Sequence, residues 1–564
     1  MAADALTRRA ADLRALEQGP WDVVIVGGGI VGVGALLDAT SRGLRAALVE
    51  QDDIASGTSS RSSRLIHGGL RYLEQYQFGV VIESLAERAR LLRLAPHLVR
   101  LQEFLFPLHG LPVVTRAFYG SGMLLYDVLG SARSGGLHRH LGRTATLEYA
   151  PALHREGLRG GLVYHDAMED DARVTLAVLR TALDGGATAV TRVRATGALH
   201  DGRAMAGIHA RDTLTGAGLE VRAPRVLDAT GVWASRPDRP FGSGSFTVVP
   251  SRGSHILVPR ERLPVRGGIT LRVPGKVVFL VPWPRHWIIG TTDAPYRGSV
   301  DHPSASGDEV DSIIDTVNRA MDVGLSRDDV VGTYAGLRPL VAPADTGSTV
   351  EISRHHRVAR DPDGLVRISG GKYTTYRVMA RDAVDALLGD EAKRRKTATA
   401  DLPLHGSLTL DEIPMAAAAL VREHGLAEAL ATSLVDRHGT DAAAVAAEGA
   451  AVDLLRPIAD GFPILEAEIA WAADHELALG LDDVLARRTR LVHELRDRGA
   501  SIAPRVAEIL ADRLGWDESR RAAEVATFLA GAGREFGLPA RSPVEADGGV
   551  LVVDPTGVGG TEPA

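Results

Sequence analysis

The sequence predicts an α/β chain followed by an all-α region, and three observations carry that prediction. An apolar run, Asp22 to Val26, leads straight into the glycine cluster Gly27-Gly28-Gly29-Ile30-Val31-Gly32. Short strand-like runs then alternate with helical stretches as far as about residue 390. From Glu391 to about 540 the composition shifts to Ala, Leu, Arg and acidic residues with helical periodicity and no nucleotide motif.

Taken in order, residues 1–20 read as an amphipathic extension, with Leu6, Leu13 and Leu16 set against Arg8, Arg9 and Arg14. Such a helix either packs on the protein surface or lies in a membrane interface. Asp22 to Val26 is a buried strand, Ile30 to Arg42 a helix closed by Gly43, and Leu44 to Glu50 a second strand. Residues 80 to 155 read as mostly helical, with Val81 to Ala95 the clearest helix. Asp201-Gly202 and Thr215-Gly216 break the stretch 187 to 229 into the strands of a meander. More strands fill Phe246 to Asp293, a helix runs from Asp308 to Val323, and Gly370-Gly371 opens the helix Thr374 to Leu388. The last stretch, 541–564, is expected to be disordered.

Composition narrows the function. Of the 564 residues, 45% are hydrophobic and 24% charged, as in an ordinary globular protein, and no apolar run approaches the roughly 18 to 20 residues of a spanning helix. With no cysteine, thiolate nucleophiles, disulfides and iron–sulfur clusters held by protein thiolates are excluded, so electron transfer must use a bound organic cofactor. The net charge of -7 argues against nucleic acid as a partner. The N-terminus lacks the apolar core of a secretory signal, which points to a cytoplasmic location. No set of three or four metal ligands at suitable spacing surrounds the pairs His138/His140 or His355/His356, so no metal is expected.

The glycine cluster satisfies G-x-G-x-x-G inside a βαβ unit. Gly27 permits the tight turn, Gly29 admits a pyrophosphate to the backbone, and Gly32 allows close helix–strand packing. The pyrophosphate belongs at the helix N-terminus, where unpaired N–H groups and the dipole favour anions. Glu50, ending the second strand, can accept from both ribose hydroxyls. This pattern implies an adenine dinucleotide but does not separate FAD from NAD. The next segment does. Ala55 to Glu74 is a run of small hydroxyl and glycine residues suited to wrapping a cofactor, where an NAD domain would continue with another helix and strand. Arg225-Val-Leu-Asp-Ala-Thr-Gly231 adds the strand into Ala-Thr-Gly that is common in FAD domains.

With those residues in view, the sequence closely resembles the FAD-dependent, quinone-linked glycerol-3-phosphate dehydrogenases. The loop Thr58 to Glu74 is the most specific element. Asp170-Asp-Ala-Arg173, Gly253-Ser-His-Ile256, Gly290-Thr-Thr-Asp293, Tyr334-Ala-Gly-Leu-Arg-Pro-Leu340 and Gly370-Gly-Lys-Tyr-Thr-Thr-Tyr-Arg377 follow in order. In the helical region, Asp474-His-Glu476 and Asp482-Asp-Val-Leu-Ala-Arg-Arg-Thr489 resemble it too. The resemblance implies an FAD-binding Rossmann-like domain with an inserted antiparallel-sheet substrate domain and a C-terminal helical domain. Within 21–390, segments near 21–110, 160–235 and 330–390 would bind FAD, and 111–159 with 236–329 would form the substrate domain. Residues 391–540 would form a helical cap.

It also implies the activity: oxidation of sn-glycerol 3-phosphate to dihydroxyacetone phosphate, with hydride passing to FAD and electrons to a quinone. That acceptor suggests peripheral contact with the inner face of the cell membrane. The oligomeric state stays open, a homo-oligomer being compatible with the sequence. Alternatives are an oxidase of the same substrate that uses oxygen, an amine or amino-acid oxidase, and a non-catalytic flavoprotein. A phosphate dianion calls for cations, and arginine's fork fits its oxygens bidentately. The matched motifs supply Arg71, Arg338 and Lys372 for this, with Tyr72 and Thr292 beside the substrate. Arg338, Lys372 and His255 are the candidate catalytic groups, His255 as general base. Thr58, Ser59, Ser60, Leu65, Ile66, His67 and Gly68 would contact FAD from the loop. Thr230 and Gly231 would do so near the adenosine, and Gly371, Lys372, Thr374 and Thr375 near the flavin. The sequence departs from the family at Asp228, where relatives commonly carry asparagine, and at Arg64, a frequent lysine. Asp228 is expected to add negative charge near the cofactor.

Overall fold

The computed structural model describes residues 5–69, 78–109, 137–236, 238–242, 244, 246–273, 276–343 and 355–541. The predicted substrate contacts Arg71 and Tyr72, and the tail 542–564, lie outside the described residues.

Val23–Val26 is buried at every position, because both faces of its sheet are covered. Val23 and Ile25 face a layer of helices, while Val24 and Val26 face the three-stranded meander Val193–Asp201, Ala204–Asp212 and Gly218–Arg222. This six-stranded sheet runs Arg357–Arg360, Val366–Ser369, Val226–Asp228, Val23–Val26, Ala46–Val49, Thr188–Val190, and only the first pairing is antiparallel. Over it the helix Ile30–Ser41 packs between Asp171–Asp184 and Tyr376–Leu388. Gly34 permits that approach, since a Cβ there would lie 2.9 Å from Tyr376 Cδ2.

The second, ten-stranded sheet is mostly antiparallel and is built around the long strands Phe246–Pro259, Gly332–Pro343, Val99–His109 and Leu158–Glu169. Three of these, Val99–His109, Leu158–Glu169 and Gly332–Pro343, come from stretches the sequence reading places with the FAD segments. The helix Gly307–Ala320 covers one face, pressing Val310, Ile313 and Val317 against Ile256, Val258 and Ile289. It opens with a capping box, Ser306 and Glu309 bonding reciprocally.

The expectation of a mostly helical stretch from 80 to 155 needs correcting. Its described part holds one long helix, Phe78–Leu94, then the strands Val99–His109 and Arg139–Gly142 and the short helix Arg143–Tyr149. Phe104, Leu105 and Phe106 are all buried, on opposite faces of a sheet covered on both sides, so the period-two alternation that marks a strand is erased.

The helices from Glu412–His424 to Glu518–Phe536 share an apolar core that continues into the large sheet through Leu257, Val331 and Tyr334. Buried ion pairs tie them to the loop after Ala46–Val49 and to the helix Asp171–Asp184. Asp53 pairs with Arg487 and Arg488, Arg173 with Glu476, and Arg61 with Glu535. The N-terminal helix Ala5–Gln18 lies against this body, with Leu16 buried and Arg9 paired to Asp212 at 2.9 Å.

Candidate functional site

Between the two sheets opens a cavity of about 460 Å³. Its dinucleotide end is set by backbone proximity. Gly27 has a positive φ of 113°, and a Cβ there would sit 2.6 Å from Ala229 O. At Gly32 a Cβ would reach within 1.8 Å of Gly27 O, so only glycine lets the helix start this close to the strand. Ile30 N–H donates to Ser59 Oγ at 2.9 Å, which fixes the loop against the helix N-terminus. Thr58 Oγ1 donates to Leu337 O at 2.6 Å and so anchors the same loop to the large sheet.

Glu50 is buried, with Oε2 accepting from Gly28 N at 2.6 Å and Oε1 from Asp52 N at 2.8 Å. Burial, with the like charge of Asp52 behind it, pushes its carboxyl up to about 7. Ribose hydroxyls donating to this carboxyl would favour its ionised form and release a proton on binding. FAD affinity of the stripped protein is therefore expected to rise roughly tenfold from about pH 6 to about pH 8, measured by fluorescence titration. An affinity flat across that range would mean that binding leaves the Glu50 pKa unchanged, and an affinity that falls would mean that Glu50 keeps its proton in the complex.

At the other end, Gly370 and Gly371 have φ of 82° and 78°, and they turn the chain from Val366–Ser369 into the helix beginning at Tyr376. Ser369 lines the cavity, and its Oγ is buried and without a hydrogen-bond partner among the described residues. The glycine cradle, the helix N-terminus and this unmet hydroxyl fit an FAD laid along the cavity.

The register of the large sheet builds the remaining wall. Pairing of Phe246–Pro259 with Gly332–Pro343 sets Tyr334 beside His255 and Arg338 beside Ser251. The His255 and Tyr334 rings stack, with centroids 4.6 Å apart. Arg338 donates to Thr291 Oγ1 at 3.1 Å, Thr292 O at 3.2 Å and Asp293 Oδ1 at 3.3 Å. Gly253 leaves room for that guanidinium, since a Cβ there would meet it at 2.6 Å; Gly290 does the same for His255, with Cδ2 at 2.5 Å. Thr292 Oγ1 accepts from Ser254 N and donates to Glu309 Oε1, tying the site to the capping box of Gly307–Ala320. Lys372 lines the cavity and donates to Ser84 Oγ at 3.4 Å. Burial, then the charges of Arg338 and Arg64, lowers the His255 imidazole to about 3, so it is neutral at ordinary pH.

His255, Arg338, Lys372 and Thr292 thus share one cavity with Gly27, Gly29, Glu50, Thr58, Ser59, Leu65, His67, Thr230, Gly231, Gly371 and Thr374. Gly32, Ser60, Ile66, Gly68 and Thr375 are off its wall. Leu65 and Ile66 are consecutive in a strand, so one faces the cavity and the other the core. Ser60 turns its carbonyl to Arg490, and Thr375 Oγ1 bonds back to Lys372 O. Asp228, expected to add negative charge near the cofactor, is met by a cation and two donors. Its Oδ2 meets Arg367 at 3.0 Å, while Oδ1 accepts from Thr230 N and Oγ1.

The sequence reading missed Ser63, Trp233 and Phe279 on the wall. Ser63 sits in the loop already singled out, whereas Trp233 and Phe279 carry no local signal that separates them from core aromatics.

Comparison with known proteins agrees with this geometry. A family model described as FAD dependent oxidoreductase matches residues 22–385, and one described as the C-terminal domain of alpha-glycerophosphate oxidase matches 397–521. A glycerol-3-phosphate dehydrogenase of Mycobacterium leprae is 42% identical over 533 residues, covering 93% of this chain and 90% of its own. The mitochondrial glycerol-3-phosphate dehydrogenase of Bos taurus is 34% identical, covering 95% of this chain and 76% of its own. Among solved structures, the glycerol-3-phosphate dehydrogenase of Bacillus halodurans complexed with FAD superposes with a TM-score of 0.78 at 26% identity, covering 94% of this chain and 98% of that one. Glycine turns that suit a dinucleotide, Arg338 and Lys372 on the same cavity and relatives that match over most of their length lead to one conclusion: this chain belongs to the FAD-dependent glycerol-3-phosphate dehydrogenase family.

Proposed function

We propose that the chain oxidises sn-glycerol 3-phosphate at C2 to dihydroxyacetone phosphate and delivers the electrons to a quinone. The observation that carries this reading is the placement of Arg338 and Lys372, with His255, on the same cavity as the dinucleotide glycines. Bound FAD supplies the hydride acceptor. Arg338 and Lys372 hold the phosphate and the reacting oxygen, and Arg71 and Tyr72 are assigned to the same task. Holding C2 in line converts the reaction to an intramolecular one. Thr292 keeps Arg338 aimed, since Arg338 donates to its carbonyl. His255 takes the alcohol proton. Burial and the cations Arg338 and Arg64 hold its basicity low. A phosphate dianion brought among them raises that basicity at the moment it is needed.

Anaerobic titration with glycerol 3-phosphate tests substrate and competence together: the flavin absorbance is expected to bleach stoichiometrically. A flavin left oxidised would reject the substrate. The acceptor is read as a quinone, which calls for peripheral contact with the inner face of the cell membrane. Turnover is then expected to reduce a quinone analogue far faster than it forms peroxide. The reverse ratio would make the protein an oxidase.

A further inference from the structure

The imidazole of His255 is closed off on nearly every side. Tyr334 stacks on one face, Gly290 fits against the Cδ2 edge, and the side chain is only 3% exposed. Nδ1 is buried and has no hydrogen-bond partner among the described residues. The polar contact the ring does make is through Nε2, to Ser63 Oγ at 2.8 Å. Ser63 lines the cavity alongside Arg338 and Lys372.

The loop carrying Ser63 is pinned from both sides. Ser62 N donates to Asp171 Oδ2 at 2.9 Å, and Ser62 O accepts from the Tyr334 hydroxyl at 2.9 Å. Glu169 N donates to Arg64 O at 3.1 Å, immediately after Ser63. Arg490, from the helical region, donates to Ser60 O at 3.0 Å and pairs with Asp170 and Asp171. A surface serine is not held from so many directions. Here the side chain that results from the pinning is, among the described residues, the hydroxyl that bonds Nε2.

We propose that Ser63 is the proton relay of the site, standing between the substrate's C2 hydroxyl and His255. This rests on the substrate reading above and adds a residue to it. As the C2 hydride leaves for FAD, the substrate O–H bond breaks and its proton joins Ser63 Oγ. The original Ser63 O–H bond breaks in the same movement, and that proton joins Nε2. Ser63 ends as it began, the carbinol becomes a carbonyl, and the imidazole carries the positive charge. The relay requires Nε2 to be the unprotonated nitrogen in the resting enzyme, with the hydrogen on Nδ1, where it meets no acceptor among the described residues and costs about 1–3 kcal/mol.

Two measurements on the FAD-loaded protein test it. In anaerobic stopped-flow, Ser63→Ala is expected to slow flavin reduction roughly 10²-fold, within the range of a lost acid–base step. Substrate affinity and FAD content should be unchanged. Ser63→Thr, which keeps a hydroxyl, should recover most of the rate, and Ser63→Ala combined with His255→Gln should be no slower than His255→Gln alone. Nitrogen NMR with labelled histidine, assigned by His255→Gln, should show an unprotonated Nε2 whose resonance shifts in Ser63→Ala. Wild-type rates in Ser63→Ala, losses that multiply in the double variant, or a protonated Nε2 would overturn the relay alone. A wild-type flavin that glycerol 3-phosphate leaves oxidised would remove the substrate reading and the relay with it.

Discussion

Replacing Arg338 with alanine is expected to lower kcat/KM for glycerol 3-phosphate by roughly 10²- to 10³-fold while the protein stays yellow. Charge-assisted hydrogen bonds contribute about 1.5–3 kcal/mol each, and a guanidinium can give a phosphate two. Arg338 is already aimed by Thr291 Oγ1, Thr292 O and Asp293 Oδ1, so little ordering is left for the substrate to impose. If it serves only to bind phosphate, KM rises and kcat holds. If it also steadies charge on the reacting oxygen, kcat falls too. Lysine should restore only part of the loss, because a point charge cannot reproduce the planar fork. Arg338 is also one of the cations that depress His255, so its removal should let that imidazole titrate at higher pH. Steady-state kinetics with flavin content as the control decides the matter. Unchanged kcat/KM would move the phosphate elsewhere.

Much of this architecture was legible along the chain because its signals are local. Gly27 to Gly32 and Glu50 lie within one βαβ unit, and each has a steric or hydrogen-bonding reason that can be read without knowing what packs above it. The cross-strand facts are different. That Tyr334 stacks on His255, or that Gly253 and Gly290 clear space for Arg338 and His255, depends on a register that no single segment specifies. The strand Val99–His109 was hidden for a related reason, since a strand buried on both faces loses its alternation. Asp228 shows the limit most plainly. Taken alone it is an extra charge, and its partner Arg367 lies 139 positions away. The helical region's own motifs, Asp474-His-Glu476 and Asp482 to Thr489, were visible as motifs but mute as to purpose. In the structure Glu476 meets Arg173, while Arg487 and Arg488 meet Asp53.

That last contact sets up the other large expected effect. Asp53 lies at 0% exposure between the guanidinium groups of Arg487 and Arg488, at 2.5 and 2.6 Å, three residues after Glu50 in the turn that leaves the strand Ala46–Val49. Burial alone would raise its carboxyl, but the two arginines outweigh that and hold it well below the usual carboxylate range. Asp53→Ala would leave two buried cations short of their shared partner. Such a break costs about 3–5 kcal/mol, far more than an exposed ion pair. Arg487 keeps Asp483, and Arg488 keeps the Glu476 carbonyl, so the fold should survive at ordinary temperature. What should fail first is the seam between the helical region and the FAD loop. Heating should release flavin before the whole molecule unfolds, and limited proteolysis should cut near residue 480 in the variant while sparing the wild type. The sign of the pH effect follows from the depressed carboxyl. In the wild type this contribution is present above the ordinary carboxylate range, near pH 4, and is lost as pH falls further. Asp53→Ala should therefore differ most from wild type near neutrality and converge with it in acid. Flavin release and proteolysis that track the wild type at neutral pH would show that the Asp53 pairs do not hold the seam, which then rests on the apolar core and the other buried pairs.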